Sequence, residues 1–93
     1  MDRAVRLTIV GGVQGVGYRD WAVKMGRRLG LRGWVRNRRN GSVEAHVAGE
    51  EAAVARMIEA CRRGPPLAQV DQVDEAAADV TDLPPDFARL PTL

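Results

Sequence analysis

Nine consecutive residues, Gly11-Gly12-Val13-Gln14-Gly15-Val16-Gly17-Tyr18-Arg19, combine the residue types that grip an oxyanion. Glycines let a backbone turn with its N–H groups pointing inward and no side chains in the way. An apolar run precedes the segment and a helix-like one follows it. A helix start adds unpaired N–H groups and the positive end of a dipole. Arg19 falls on the first helical turn, where a guanidinium completes a cradle for a tetrahedral anion. The segment is expected to be a phosphate-binding loop, with the main chain of Val13, Gln14, Gly15, Val16, Gly17 and Tyr18 as its wall. It is not the P-loop of nucleotide enzymes, because no Gly-Lys-Ser/Thr follows. Nor is it the dinucleotide fingerprint, since the order is Gly-x-x-Gly-x-Gly without a long parallel βαβαβ pattern.

The elements that must hold this loop can be read from periodicity. Val5 to Val10 alternates with period two and predicts a strand with Val5, Leu7 and Ile9 on one face. Trp21, Ala22, Met25 and Leu29 recur at helical spacing, so residues 18–29 are expected to be a helix that Gly30 stops. Leu31 to Asn37 reads as a second strand, and Asn40-Gly41 is a strong hairpin signal. Its partner is Ser42 to Ala48, with Val43, Ala45 and Val47 inward and Ser42, Glu44 and His46 on the opposite face. A second helix spans Glu50 to Arg63, with Val54, Ile58 and Cys61 as its buried stripe and charges that suit the helix dipole. Gly64-Pro65-Pro66 ends it. A fourth strand is expected within Ala68 to Val80, on the strength of Val70 and Val73. Phe87 to Leu90 is expected to be a short edge strand, the one place where Pro91 is tolerable.

The order β-α-β-β-α-β predicts an α+β, ferredoxin-like split βαβ fold, an antiparallel sheet with two helices on one face. Its crossovers put the first strand in the middle, so the glycine loop opens beside a central strand on a rigid support. Ninety-three residues suffice for one compact domain spanning 1–93 and not for two. No segment approaches the ~20 apolar residues of a membrane span, and the N-terminus lacks a secretory pattern. A single cysteine, Cys61, allows no internal disulfide, which suits a reducing cytoplasm, and it is expected to be a small core hydrophobe. Residues 1–48 hold ten Lys/Arg against three Asp/Glu, a balance of +7. Residues 49–93 hold four against nine, a balance of −5. The loop lies in the basic half, which suits a small anionic ligand and also RNA.

Two motifs now stand together: Gly12-Val13-Gln14-Gly15-Val16-Gly17-Tyr18-Arg19, and Gly33-Trp34-Val35-Arg36-Asn37 with Gly41-Ser42-Val43-Glu44. On them, and on Leu29-Gly30-Leu31 and Gly64-Pro65-Pro66, the chain resembles the acylphosphatases over residues 5–75. The resemblance implies hydrolysis of the mixed anhydride between a carboxylic acid and phosphate, with no metal and no cofactor. It implies that Arg19 binds the phosphate and Asn37 positions the attacking water. Alternation puts Asn37 on the same face as Val35, at a strand end that can approach Arg19. The expected partners are a small acyl phosphate and inorganic phosphate as product and inhibitor, for a cytoplasmic monomer that touches neither nucleic acid nor membrane. Gly12 stands where the family often has a larger basic residue, and Phe87 to Pro91 match its usual final strand poorly.

Other residues have plainer expectations. Arg36, Arg38 and Arg39 suit a solvated hairpin rim, Tyr18, Trp21 and Trp34 suit packing, and His46 suits the surface. Two further functions remain open: an RNA-binding module of the same topology, and a phosphate-binding but inactive or carbamoyl-phosphate-handling relative. Against RNA, the central strands offer Arg6, Thr8, Ser42, Glu44 and His46 where a recognition sheet would expose aromatics.

Overall fold

The structure, a computed structural model, describes residues 2–79 and 83–93. Its elements are β1 (Asp2–Gly12), α1 (Tyr18–Arg28), β2 (Arg32–Asn37), β3 (Val43–Glu50), α2 (Glu51–Arg63), β4 (Gln69–Ala77) and β5 (Phe87–Arg89). The sheet order is β4-β1-β3-β2-β5. This is the expected ferredoxin-like α+β fold, with β1 and β3 in the interior of the sheet. The first four strands pair antiparallel, and β5 joins β2 in parallel, so the five-stranded sheet is mixed.

Strand alternation builds the core. Val5, Leu7 and Ile9 lie opposite Val47, Ala45 and Val43, and Gly33, Val35 and Asn37 lie opposite the same three from the other side. The apolar members of these rows are buried, and the helices lay their own apolar faces against them. Asn37 therefore continues the inward row of β2 at its loop end. Beside it, the β1–β4 register slips between Val10 and Gly11. Such a bulge bends and twists a strand, here just before the glycine loop.

In α1 the fully buried row is Tyr18, Ala22 and Gly26. Trp21, Met25 and Leu29 are only partly buried at its flank. The shift follows from Phe87, whose ring packs against Gly26; a Cβ at that position would lie 2.6 Å from it. In α2, Val54, Ile58 and Cys61 are buried as expected, joined by Met57 and Ala60. Burial pushes the Cys61 thiol from its ordinary 9.0 up to about 11, against the lowering effect of its hydrogen bond with Tyr18. In β4, Val73 is buried and Val70 partly so; Val80, at the end of the expected window, lies outside the described residues.

The outer sheet face is less open than its sequence suggests. His46 and Ser42, expected at the surface, are buried. The His46 Nε2 lies 2.7 Å from the Asp79 carbonyl, and its ring meets Trp34 edge-on at 5.8 Å. Asp79, two residues after β4, thus covers part of that face. Arg36 and Arg38 are pinned to Glu44 at 3.0 and 3.5 Å, with Arg6 joining at 3.3 Å. No helix among the described residues is long and apolar enough to cross a membrane.

Candidate active site

A cleft of about 160 Å³ opens where β1 gives way to α1. The loop contributes Val13, Gly15 and Gly17 to its lining, and the first turn of α1 contributes Tyr18, Arg19 and Asp20. Asn37 enters from the end of β2 and Arg89 from β5. Arg19 and Asn37, paired from the sequence, thus share one cleft although 18 positions separate them.

Each part has a local cause. Gly15 and Gly17 hold φ of 75° and 79°, with open space where a Cβ would stand. Backbone conformation, not crowding, calls for glycine there. Gly17 is also the residue that begins α1, and no side chain caps the helix. No main-chain carbonyl among the described residues accepts a hydrogen bond from the N–H groups of Gln14 to Arg19. These donors remain open to an anion, as the start of a helix requires of some partner.

Supports arrive from three directions. The Gln14 side chain turns away from the cleft and donates Nε2 to the carbonyls of Arg38 and Ser42, at 2.7 and 2.8 Å. That clamp ties the loop to the β2–β3 turn, and so to Asn37. The Tyr18 hydroxyl donates to the Cys61 carbonyl at 2.7 Å in the core. Burial, with Cys61 close by, pushes its phenol far above the ordinary 10.0, so it anchors the helix start and does not exchange a proton near neutral pH. Arg19 Nη1 donates to the Leu90 carbonyl at 3.4 Å, beyond β5. The same tail continues along β2, where the Leu93 N–H donates to the Asn37 carbonyl at 3.2 Å. Of the other loop residues, Val16 packs partly buried against the core and does not line the cleft.

The cleft carries two guanidiniums and one carboxylate, Asp20, which pairs with Arg89 at 2.5 Å. Among the described residues, no three His, Cys, Asp or Glu side chains gather as metal ligands would. What the arrangement can do is hold a small tetrahedral anion by main chain and Arg19, with a neutral amide beside it. A family model for acylphosphatases matches residues 5–88. The chain belongs to the acylphosphatase family. The acylphosphatase of Acidiphilium cryptum is 55% identical over 76 residues, 82% of this chain and 84% of its own. Acylphosphatase 2 of Ralstonia nicotianae is 52% identical over 89 residues, 96% of this chain and 94% of its own. The solved acylphosphatase structure from Coxiella burnetii matches with a TM-score of 0.90 at 34% identity, covering 96% of this chain and 93% of that one.

Within this acylphosphatase-family cleft, three features have no counterpart in the sequence motifs. They are the Gln14 side-chain clamp, the Asp20 carboxylate and the Arg89 guanidinium. Asp20 adjoins Arg19, so its place at the mouth follows from the helix start. Gln14 and Arg89 depend on contacts across the fold, which local periodicity does not encode.

Proposed function

We propose that this cleft hydrolyses acyl phosphates to a carboxylate and inorganic phosphate, by attack of an oriented water at phosphorus. The loop N–H groups and Arg19 hold the phosphoryl oxygens and stabilise their charge as it shifts during transfer. The water's oxygen forms the new bond to phosphorus while the bond to the acyl oxygen breaks and the carboxylate leaves with the electron pair. The conjugate acid of that leaving group has a pKa near ~4, so departure needs no general acid. The water's proton passes to a phosphoryl oxygen or to solvent. Asn37 orients the water by donating and accepting hydrogen bonds while staying neutral; a carboxylate there would repel the substrate.

The observation that supports this most is the convergence of Arg19, Asn37 and the glycine loop, through Val13, Gly15 and Gly17, on one cleft, where no main-chain carbonyl among the described residues pairs with the N–H groups of residues 14–19. The chain would act as one domain over 1–93, as a cytoplasmic monomer without cofactor or nucleic-acid partner, and product phosphate would compete for the same groups. Hydrolysis of benzoyl phosphate in ¹⁸O-water, with and without a chelator, tests the proposal. The label is expected in phosphate, at a rate the chelator leaves unchanged. Label in benzoate would mean attack at carbon and would overturn it, and activity abolished by the chelator would overturn its metal-free chemistry.

A further inference from the structure

The cleft holds one more cation than its phosphate chemistry uses. Arg89 is the last residue of β5, paired with Val35 two positions before Asn37. Alternation sends Arg89 to the same side of the sheet as Phe87, the helix side. Phe87 packs under Gly26, and Arg89 reaches the other end of α1, where it lines the cleft with Arg19. There its Nη1 meets Asp20 Oδ1 at 2.5 Å.

Both members of that pair stand at the mouth, with side chains 47% and 63% exposed. Exposed ion pairs contribute little net stability, about 0–1 kcal/mol, because water screens them. A substrate carboxylate can therefore take the place of Asp20 at small loss. The guanidinium fork suits that exchange, since it binds a carboxylate through parallel N–H donors. Asp20 itself shows that a carboxylate fits against Arg89 at this spot. The small cleft is already committed to the phosphoryl group, so the acyl group must lie at its mouth, beside these two side chains.

We infer that Arg89, held in reserve by Asp20, selects acyl phosphates whose acyl group carries a second carboxylate. The inference rests on the acyl-phosphate hydrolysis proposed above. Arg89 is a specificity residue here; the bond-breaking groups remain Arg19, Asn37 and the loop.

The test compares benzoyl phosphate with its 3- and 4-carboxy derivatives, which share the reacting anhydride and differ in one remote carboxylate. For wild type, Arg89→Gln, Arg89→Lys and Asp20→Asn, kcat/KM is measured on each, with thermal melts to confirm folding. The preference for the better carboxy derivative over benzoyl phosphate should fall about 10-fold in Arg89→Gln, the size of one charged hydrogen bond. It should fall less in Arg89→Lys and rise in Asp20→Asn, where the competing carboxylate is gone. Added salt should lower the wild-type preference towards the Arg89→Gln value. Equal losses on all substrates in Arg89→Gln would assign Arg89 to the phosphoryl group or to packing and overturn the inference, as would no change. If the wild type turns over none of the three, the hydrolytic function falls and the selectivity falls with it.

Discussion

At the residue scale, Gln14 is a side chain that acts on the cleft from outside it. Its amide nitrogen spans two carbonyls of the β2–β3 turn, at 2.7 and 2.8 Å. Val13 and Val16 hold the loop to the core, while Gly15 and Gly17 have open space where a side chain would stand. Replacing Gln14 by Ala removes both bonds, while each carbonyl keeps one main-chain donor, the Gly41 N–H on Arg38 at 3.1 Å and the Arg38 N–H on Ser42 at 2.8 Å. The expected loss is about 1–3 kcal/mol of stability. A loop misplaced by even ~1 Å can cost on the order of 100-fold in rate. Activity should therefore fall 10- to 100-fold while circular dichroism stays native, a pattern that kinetics on benzoyl phosphate would show. Glutamine inside a glycine loop carries no periodic signal, so its side chain was not legible as a clamp. Arg19 and Asn37 were legible as neighbours for the opposite reason: each sits at the end of an element whose register the alternation defines.

Among the elements, β5 and the tail beyond it close one side of the cleft. Leu90 donates its N–H to Val35 at 2.9 Å and accepts from Arg19, and Leu93 donates to Asn37. One short strap thus touches both residues assigned to chemistry, and it carries Arg89. Pro91 fits because the strap runs along the open edge of the sheet, where no further strand needs its missing N–H. Ending the chain after Arg89 keeps Phe87 in the core but removes the Arg19 acceptor and three main-chain bonds, Leu90 to Val35, Leu93 to Asn37 and Arg39 to Leu93. Stability is expected to drop by about 1–3 kcal/mol. The rate on benzoyl phosphate should drop about 10-fold or more, since orientation of the guanidinium is lost. A truncated chain with full turnover would show that the strap only closes the sheet edge. The parallel docking of this strand was not legible, because Phe87–Arg89 lies more than 50 residues from its partner β2 and pairs over only three positions. Gly26, by contrast, does carry a signal in the sequence. A glycine inside a helix pattern often marks a close approach, and here it admits the Phe87 ring.

For the whole molecule, topology explains how the cleft is assembled. The split βαβ order places β1 and β3 in the middle, and the loop after β1 opens from that supported strand. The first helix then brings its unpaired N–H groups, and β2 brings a neutral amide to the same end. The element order, and the inward rows of β1, β2, β3 and α2, were readable because hydrophobic period and turn chemistry agree there; in α1 the Phe87 ring against Gly26 turns the buried row to Tyr18, Ala22 and Gly26. The outer face was not: His46 alternates outward, yet the Asp79 carbonyl and Trp34 cover it. Burial of that kind depends on where a loop runs, which alternation does not record. In the proposed function, Arg19 and Asn37 act together on one phosphoryl group. The most direct measurement is kcat/KM for benzoyl phosphate in Arg19→Gln and in Asn37→Ala, with melts as a folding control. Each should fall at least about 100-fold, the usual size for losing a preorganised transition-state contact, in a protein that still folds. Turnover near the wild-type rate in either folded variant would contradict it.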